Sequence, residues 1–537
     1  MRVNSQSKQH TTITNNGSHT VGIVNPSSAA SSVAPCNANA AENTAENSSA
    51  SDSPNRIELL ARAQHTLAGL SPLLAPLAQL FQDRGHRLYL VGGSVRDAFL
   101  DELGNDLDFT TDARPETVME ILNDYTPVVW DTGIDFGTVS AEKDGQQIEI
   151  TTFRSDVYDG KTRNPEVQFG DTLEGDLIRR DFRVNAMAVE IHPTGDMTFH
   201  DPVNGMDDLV EGILDTPSAP EQSFNDDPLR MLRAARFVSQ LEFSVADRVC
   251  NAMTQMADQI DRITVERVQV ELDKLLCGRA PWDGIDLMVD TGLAARIIPE
   301  IPALRLTQDE HRQHKDVYLH SLTVLRQAME QEEDGPDVVL RWASLMHDCG
   351  KPDTRAFNDE GKVSFHHHEI VGARIMRARM RTLKYSKQMV NDVSDLIRLH
   401  MRFHGFNEGE WTDSAVRRYV TDAGPLLSKL HKLVRADCTT RNKKKAARLH
   451  RTYDHLEERI AEIAEREDLQ RVRPDLDGNE IMTLLGLKPG PDVGKAWSFL
   501  KELRLERGPL GREEAIAELT AWWSKNHNAA DTTGSTK

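Results

Sequence analysis

The order of apolar and polar positions divides the chain into an early part with strand-like runs and a later part with helical spacing. Leu88–Val91 is a short apolar run that ends in a Gly-Gly turn and a helix start. Two further runs within residues 137–151 flank Asp144-Gly145 and predict a β-hairpin. Residues 156–169 are polar and rich in turn residues, so a loop is predicted there. Later apolar residues recur at helical spacing. The pattern predicts an α+β protein, with a mixed sheet and helices first and helices only afterwards.

Length and composition indicate several domains and a disordered start. A chain of 537 residues exceeds the size of one domain, and three or four are expected. Residues 1–55 are rich in Ser, Asn, Ala and Thr and lack the apolar core of a secretory signal. We therefore predict a disordered extension over 1–55 and a disordered end over 526–537. No run of about 18 apolar residues offers a membrane span, so no membrane partner is expected.

Charge and cysteine usage narrow the possible functions. The formal net charge of −21 counts against a protein that coats nucleic acid without selectivity. Two stretches have the opposite character: residues 374–387 contain six Lys or Arg and no acid, and residues 429–451 contain nine against one acid. They favour contact with an RNA backbone over solvated helix faces. The five cysteines are odd in number and scattered, which predicts a reducing cytoplasm and no zinc finger.

The Gly92-Gly93 turn and two aspartates after it carry the strongest chemical signal. A Gly-Gly turn before a helix lets backbone N–H groups approach a phosphate closely. Asp106 and Asp108 stand at i and i+2 of a predicted strand, so they point to the same face and can hold a divalent metal together. Taken separately, a Gly-Gly turn or an Asp-x-Asp pair most often has only a structural role. Together at this spacing they are the equipment of phosphoryl or nucleotidyl transfer.

The same residues resemble a known enzyme family. The residues from Gly92 to Asp97 read Gly-Gly-Ser-Val-Arg-Asp, and Asp-Leu-Asp follows at Asp106. This resembles the head of the tRNA nucleotidyltransferases (CCA-adding enzymes) and bacterial poly(A) polymerases, which belong to the polymerase-β-like nucleotidyltransferase superfamily. The resemblance spans about residues 80–519. It implies transfer of CMP, CMP and AMP from CTP and ATP to the 3′ end of tRNA, with release of pyrophosphate.

By this resemblance the head carries metal ligands and a nucleotide pocket. Asp106 and Asp108 would hold two Mg²⁺ ions, which serve the terminal 3′-hydroxyl and the triphosphate. Glu149 would be a third carboxylate, because residues 149–154 match a family motif; by pattern alone it is an exposed residue of a half-buried strand. Guanidinium groups suit phosphate oxygens, and an amide suits a ribose hydroxyl. The residues implied to bind the nucleotide in the head are Gly92, Gly93, Ser94, Arg96, Arg154, Arg180, Asp181 and Asn185.

A second implied site selects the base. Asp227 and Arg230 are three residues apart at a predicted helix start, where they would share a helix face. A carboxylate accepts from the exocyclic amino group of cytosine or adenine, and arginine donates to the adjacent ring acceptor. Uracil and guanine present an acceptor instead and would be rejected. In isolation such a pair is most often a surface salt bridge. The resemblance assigns it, with Arg233, to the nucleotide-selecting motif, in which Asp226 replaces the commonly expected Glu.

Histidines and aspartates in the helical part carry another resemblance. A lone histidine is most often structural, but the sequence His-Asp-Cys-Gly-Lys-Pro that begins at His347 resembles the HD phosphohydrolase domain. That fold binds one or two divalent metals and implies hydrolysis of phosphate esters such as 2′,3′-cyclic phosphates. The implied ligands are His320, His347, Asp348, His368, His400 and Asp437. The implied domains are a head at 56–217, a helical neck at 218–300, an HD domain at 301–466 and a tRNA-binding tail at 467–525.

Other functions fit the same motifs. A poly(A) polymerase, or an enzyme that adds only A or only C, shares the head, and the motifs do not separate these activities. A hypothesis of another class is an RNA-binding head with the HD domain as the only active enzyme. The intact pair of Asp106 and Asp108 argues against that hypothesis.

Overall fold

The structure is a computed structural model, and it describes residues 56–157, 166–170, 172–305, 316–357, 359, 363–403, 411–439, 442–469 and 472–531. These residues form a mixed sheet with helices first and a largely helical remainder, which confirms the predicted α+β architecture. The extension predicted over 1–55 lies outside the described residues. No helix in the described ranges has the length and apolarity that crossing a bilayer requires.

A seven-stranded mixed sheet forms the centre of the head. The strands of the described chain are β1 (Leu88–Val91), β2 (Asp106–Thr111), β3 (Val128–Trp130), β4 (Thr138–Lys143), β5 (Gln146–Thr152), β6 (Arg154–Val157), β7 (Glu166–Phe169), β8 (Ala188–Ile191), β9 (Met197–His200), β10 (Ile213–Leu214), β11 (Ser244–Val245), β12 (Ala356–Phe357) and β13 (Val363–Ser364). The sheet has the order β3-β4-β5-β2-β1-β8-β9. Strands β2 and β5 are parallel, and the other neighbours are antiparallel. The end of β1 therefore lies beside the start of β2.

The predicted hairpin is confirmed. Strands β4 and β5 pair antiparallel along their whole length, and Asp144 (φ 52°) and Gly145 (φ 80°) form the turn. Two consecutive positive φ angles are typical of the type I′ turn, which Asp-Gly favours. Ile148 and Ile150 are buried, and Glu149 between them is exposed. The alternation of burial along β5 therefore turns Glu149 away from the core.

The prediction of a loop over 156–169 is wrong at both ends. Strands β6 and β7 pair antiparallel with Arg154 opposite Phe169, so the ends of this segment form a ribbon. Residues 158–165 lie outside the described residues. Each strand has four residues, which is too few for its alternation to stand out from the turn residues between them. The guanidinium of Arg114 lies 4.8 Å from the ring centre of Phe169 and joins the ribbon to the head.

Helices surround the sheet and form most of the remaining described chain. They are α1 (Arg56–Gly69), α2 (Ser71–Asp83), α3 (Gly93–Phe99), α4 (Pro115–Tyr125), α5 (Leu173–Ile178), α6 (Gly205–Glu211), α7 (Pro220–Asp226), α8 (Leu229–Leu241), α9 (Asp247–Met256), α10 (Val265–Leu276), α11 (Pro281–Asp290), α12 (Leu293–Ile297), α13 (Glu300–Ala303), α14 (Val317–Met329), α15 (Val338–Met346), α16 (Lys351–Thr354), α17 (His368–Thr382), α18 (Lys387–Leu399), α19 (Asp413–Ala423), α20 (Leu427–Ala436), α21 (Lys443–Arg466), α22 (Gly478–Leu485), α23 (Pro491–Arg507) and α24 (Arg512–Asp531).

The end of the described chain differs from the sequence prediction. Helix α24 continues to Asp531, so residues 526–531, which were predicted to be disordered, are helical. The ring of Trp522 stacks on Phe499 at 4.7 Å, so α24 is packed one turn before this segment. A packed helix extends at little further cost, because each added residue gains a hydrogen bond. Residues 532–537 lie outside the described residues.

One apolar core connects most of the molecule. Buried residues from Leu59 to Leu469 form one continuous cluster. A separate cluster that includes Leu476, Leu500 and Leu519 belongs to the last three helices. Because close-packed cores transmit displacement, the elements between the head and α21 are mechanically connected.

Candidate functional site

Three carboxylates lie side by side on the open face of the head sheet. Asp106 and Asp108 are exposed on one face of β2, with buried Leu107 between them. The parallel pairing of β2 with β5 places Glu149 directly opposite Asp108. Surrounding atoms desolvate the Asp108 carboxyl group and raise its pKa; Glu149 and Asp106 raise it further, against the lowering effect of Arg180. Crowded negative charges of this kind fit a divalent cation.

The glycine turn lies against the same carboxylates. Gly92 has φ 70° and ψ −137°, a conformation that residues with a Cβ atom rarely adopt. A Cβ atom at Gly92 would lie 3.0 Å from Arg180 Nη1 and 3.9 Å from Asp108 Oδ2. The structure therefore brings the turn, a guanidinium group and a candidate metal-binding carboxylate into contact distance.

Ser94 connects the turn to the strand that carries the aspartates. The residue is 4% exposed, and its hydroxyl donates to the backbone oxygen of Asp106 at 3.2 Å. The same hydroxyl accepts from the backbone N–H of Asp108 at 2.9 Å. The sequence predicts contact of Ser94 with the triphosphate, whereas here the hydroxyl bonds to the backbone in both directions. Ser94 therefore fixes the position of the two aspartates relative to the turn.

A buried carboxylate that the sequence analysis did not single out orients the arginines of the site. Asp176 is fully buried and accepts from Arg179 Nε at 3.1 Å and Arg180 Nη2 at 3.0 Å. Burial alone would raise the pKa of Asp176, but the two guanidinium groups outweigh it and hold the pKa below its ordinary value. The backbone N–H of Arg154 also donates to Asp176, at 3.3 Å, and its guanidinium donates to the carbonyl of Phe136 at 3.1 Å. The spacing i, i+3 and i, i+4 was the available sequence signal.

Other predicted nucleotide-binding residues form a network inside the protein. Arg96 donates to Asn185 Oδ1 at 2.7 Å, and Asn185 Nδ2 donates to Asp181 Oδ1 at 3.0 Å. Arg233 of α8 donates to the second oxygen of Asp181 at 2.8 Å. Burial would raise the pKa of Asp181, but Arg233 and the Asn185 hydrogen bond lower it far below its ordinary value. The network joins the head to α8 and keeps Asp181 ionised.

The predicted base-selecting pair has a different local structure. Asp227 has extended backbone (φ −139°, ψ 99°) and precedes α8, so the prediction of a shared helix face with Arg230 is wrong. Pro228 gives the reason, because the residue before a proline avoids the helical conformation. Asp227 accepts from Arg267 Nη2 at 2.7 Å, and Arg230 donates to the backbone oxygen of Arg179 at 2.6 Å. Both side chains stay at the start of α8, each with its own protein partner.

The six predicted HD-domain ligands converge in two adjoining groups. The groups are His320, His347 and Asp437, and Asp348, His368 and His400, and within each group the ligand atoms lie within 4.8 Å of one another. Asp348 lies between the groups, with Oδ2 at 3.2 Å from His347 Nε2 and Oδ1 at 3.3 Å from His368 Nε2. Imidazole nitrogens and carboxylate oxygens in this arrangement can hold one or two divalent metals.

The backbone fixes which nitrogen of each histidine faces the centre. His347, His368 and His400 each place Nδ1 at 2.6–2.9 Å from the carbonyl oxygen three residues earlier. A carbonyl oxygen only accepts, so Nδ1 carries a proton in each ring and Nε2 is the nitrogen that faces the centre. Nε2 of His368 and Nε2 of His400 are buried and make no hydrogen bond in the described structure. Burial lowers the pKa of His400 to about 3, which keeps it in the neutral form that binds metal.

The two basic stretches are partly used within the protein. Arg379 pairs with Glu300 at 2.9 Å, and Lys384 pairs with Glu266 at 2.5 Å. These pairs connect the HD domain to the preceding helices, and in the second stretch Arg435 pairs with Asp454 at 2.8 Å, so part of each stretch is already neutralised within the protein. The exposed basic residues that form no ion pair in the described structure include Arg374, Arg381, Lys387, Lys444, Arg448 and Arg451.

Comparison with known proteins agrees with this arrangement. Family models described as "Poly A polymerase head domain", "Probable RNA and SrmB- binding site of polymerase A" and "HD domain" match residues 88–215, 242–304 and 317–468. The structure of the Bacillus stearothermophilus CCA-adding enzyme in complex with CTP superposes with a TM-score of 0.61 at 24% identity, covering 85% of this chain and 98% of that one. The predicted fold is confirmed by this likeness.

Sequence relatives then define the family. A CCA-adding enzyme of Levilactobacillus brevis is 40% identical over 219 residues, which are 41% of this chain and about half of that relative, 53%. An A-adding tRNA nucleotidyltransferase of Deinococcus radiodurans is 34% identical over 372 residues, 68% of this chain and 82% of that protein. The chain therefore belongs to the family of tRNA nucleotidyltransferases and poly(A) polymerases.

Proposed function

We propose that this protein adds CMP, CMP and AMP, taken from CTP and ATP, to the 3′ end of tRNA and releases pyrophosphate. The observation that carries the proposal is the placement of Asp106, Asp108 and Glu149 beside the Gly92 turn and Arg180. Nucleotidyl transfer needs a cation site next to a triphosphate site, since positioning and charge neutralisation supply most of the catalysis. Relatives named for CCA addition and A addition to tRNA support the substrate class.

The metal in this proposal is Mg²⁺, held by Asp106 and Asp108 with Glu149 next to them. The donor set fits, because it offers carboxylate oxygens, and the pKa of Asp108 is raised by desolvation and, to a smaller extent, by its carboxylate neighbours. When bound, Mg²⁺ supplies the Lewis acidity that activates the tRNA 3′-hydroxyl and neutralises the triphosphate. The chain itself contributes Arg180, which Asp176 orients toward the Gly92 turn, as the donor to triphosphate oxygens.

Base selection is assigned to Asp227 and Arg230, with Arg233 in support. Asp227 accepts from Arg267 at Oδ2 and from the Leu229 N–H at Oδ1, but each carboxylate oxygen has two lone pairs, so capacity for the exocyclic amino group of cytosine or adenine remains. Arg233 is held by Asp181 and therefore braces the first turns of α8 against the head. Such a pair rejects uracil and guanine because both present an acceptor where Asp227 needs a donor.

A single-turnover assay on tRNA that lacks its terminal CCA tests the proposal. CTP alone is expected to extend the RNA by two nucleotides, and CTP with ATP by three. Asp106→Ala is expected to abolish incorporation. The matched control is Asp124→Ala, which removes an exposed head carboxylate that pairs with Arg84 at 2.5 Å. Incorporation of CMP by Asp106→Ala at the wild-type rate would contradict the assigned metal site.

A second candidate, addition of A only, is favoured by the Deinococcus radiodurans relative, whose matched part covers 82% of its length. An A-only enzyme would extend tRNA ending in CC with ATP and leave tRNA without CCA unextended in CTP. Repeated addition of AMP to either RNA would identify a poly(A) polymerase instead. The two tRNA substrates therefore separate the three activities in one experiment.

We also propose that the HD domain hydrolyses phosphate esters such as 2′,3′-cyclic phosphates. Support comes from the inward Nε2 atoms of its histidines and from Asp348 between two ligand groups. His347→Ala is expected to lose bound divalent metal and hydrolysis while CMP incorporation is retained, and Asp106→Ala to do the reverse. Hydrolysis without any nucleotide incorporation by the wild type would favour the RNA-binding head and a single active HD enzyme.

Domain limits and compartment follow from these assignments. We place the head at 56–217, the neck at 218–300, the HD domain at 301–466 and the tRNA-binding tail at 467–525.

We place the protein in the cytoplasm. Support comes from the four cysteines in the described residues, which are all free thiols.

A further inference from the structure

Helix α10 lies between the base-selecting helix α8 and the HD domain, and it is bonded to both. Val268 and Leu272 are buried on one side of the helix. Glu266 and Asp273 are seven residues apart, two turns along the helix, and therefore share the opposite side. One side of helix α10 thus packs into the core next to α8, and the other side contacts the HD domain.

The contacts to α8 are ionic and close. Glu271 pairs with Arg236 at 3.0 Å and lies 3.8 Å from Arg233. Ser239 near the end of α8 donates to the carbonyl of Leu275 at 2.6 Å. Arg236 and Glu271 are both buried, so a displacement of α10 would separate a buried ion pair. Separating such a pair is costly, and α8 therefore has to follow α10.

Asp273 receives two hydrogen bonds from the HD domain. The Tyr385 hydroxyl donates to Asp273 Oδ1 at 2.6 Å, and Trp342 Nε1 donates to the same oxygen at 3.1 Å. The two donors are 7% and 1% exposed. Burial raises the pKa of Asp273, and the two donors counter this effect by stabilising the carboxylate. Donors to an ionised acceptor form stronger hydrogen bonds than neutral pairs.

Arg341 of the HD domain holds the end of α10. Its Nη1 donates to the carbonyls of Leu276 and Gly278 at 2.6 and 2.8 Å. The last carbonyls of a helix have no partner within the helix, and a cation there also opposes the negative end of the helix dipole. Its Nε and Nη2 donate to Glu332 at 3.0 and 2.6 Å, which fixes the guanidinium plane.

We propose that the HD domain positions the base-selecting helix through α10, and that Tyr385 and Arg341 are positioning residues for nucleotidyl transfer. Neither residue contacts the groups assigned to the nucleotide. The HD domain therefore serves base selection by its shape, independently of the metal centre within it. This inference rests on the proposed function for its kinetic consequence, while the mechanical connection can be measured without turnover.

Tyr385→Phe tests the inference by removing one hydroxyl group. Tyr453→Phe is the matched control, since its hydroxyl donates to the carbonyl of Val434 at 3.0 Å within the HD domain and the residue is 8% exposed. For Tyr385→Phe we expect the preference for CTP over UTP, as a ratio of kcat/KM values, to fall about five-fold, the value of one hydrogen bond. This loss of preference is expected to come from a higher KM for CTP, while kcat stays within about two-fold of the wild-type value. Tyr453→Phe is expected to keep the wild-type preference.

Hydrogen exchange of the backbone amides supplies a readout that needs no activity. Tyr385→Phe is expected to accelerate exchange in Val265–Leu276 and in Leu229–Leu241, and Tyr453→Phe to leave both segments unchanged. If Tyr385→Phe accelerates exchange but the wild-type protein incorporates no nucleotide, the proposed function is overturned and the mechanical connection is supported. Unchanged exchange and unchanged CTP preference in Tyr385→Phe, or equal changes in both variants, would overturn the inference.

Discussion

Replacing Gly92 by alanine is expected to impair both stability and nucleotidyl transfer, whereas the same change at Gly93 spares stability. Gly92 has φ 70° and ψ −137°, and a Cβ atom there would lie 3.0 Å from Arg180 Nη1. Gly93 is the first residue of α3, and its added Cβ would meet Arg96 Nη2 at 3.6 Å, an ordinary contact. The two neighbouring glycines therefore form a matched pair.

The size of the effect follows from strain and displacement. A side chain in such a sparsely populated backbone conformation costs about 1–3 kcal/mol. A cost of about 2 kcal/mol lowers Tm by roughly 4–8 °C in a unit of about 150–250 residues. The new methyl group would also push Arg180 away from the turn. Loss of a charge-assisted hydrogen bond of about 1.5–3 kcal/mol lowers kcat/KM roughly 10- to 100-fold.

Thermal unfolding by circular dichroism and incorporation of CMP into tRNA provide the two measurements. Gly92→Ala is expected to change both. Gly93→Ala is expected to unfold at or slightly above the wild-type temperature, because alanine favours helix over glycine. It should lose activity because its methyl group obstructs a phosphate near the turn. Wild-type unfolding of Gly92→Ala, or equal destabilisation by both changes, would refute the reasoning.

Three further changes have defined outcomes. Ser94→Ala leaves the Asp108 N–H without its partner at 2.9 Å, so urea unfolding should show a loss of about 1–3 kcal/mol and CMP incorporation should slow. Gly350→Ala would place Cβ 2.1 Å from the His368 carbonyl oxygen, so bound divalent metal should fall while CMP incorporation persists. Burial raises the pKa of Asp208 to about 6, so this group stabilises the fold below about pH 4 and loses that contribution as pH rises through 6. Asp208→Asn should therefore unfold at a higher temperature than the wild type at pH 7, and the difference should disappear at pH 4. Unchanged unfolding of Ser94→Ala, full metal content in Gly350→Ala or a pH-independent Asp208→Asn difference would contradict these expectations.

The sequence predicted the elements of the head wherever the signal was local. Three consecutive residues are enough to predict that Asp106 and Asp108 share one face of a strand, and the two residues Asp144 and Gly145 are enough to predict the turn. Glu149 was different, because it lies beside Asp108 only through the parallel pairing of β5 with β2, two strands that are some forty residues apart in the sequence. By pattern alone it was an exposed strand residue, and the family resemblance supplied the alternative.

The partners of charged residues were the least predictable feature. Arg267 reaches Asp227 across 40 residues and Arg233 reaches Asp181 across 52, and no local pattern encodes either pair. The shared helix face of Asp227 and Arg230 was a local prediction and was still wrong. The proline after Asp227 outweighed the spacing on which that prediction depended.

The HD centre shows a local rule that sequence could have used. Three of its histidines donate from Nδ1 to the carbonyl three residues earlier; His347 and His400 do so at the end of a helix, and His368 does so across the turn that precedes its helix. Their convergence, by contrast, depends on how α15, α17 and α18 pack. Gly350 and Gly372 meet there backbone to backbone, since a Cβ atom on Gly350 would lie 2.6 Å from the Gly372 nitrogen.

Selection of a base by side chains alone requires those side chains to be held as firmly as a template strand would hold a base. Asp227 stands outside any helix, and its Oδ1 accepts from the backbone N–H of Leu229 at 3.1 Å. Its Oδ2 is held by Arg267 of α10, and α10 in turn is held by Tyr385 and Arg341 of the HD domain. Without those partners, Asp273 and the last carbonyls of α10 would return to water and the helix end would fray. In this arrangement the domain that carries the second metal centre also completes the rigidity that the first site needs.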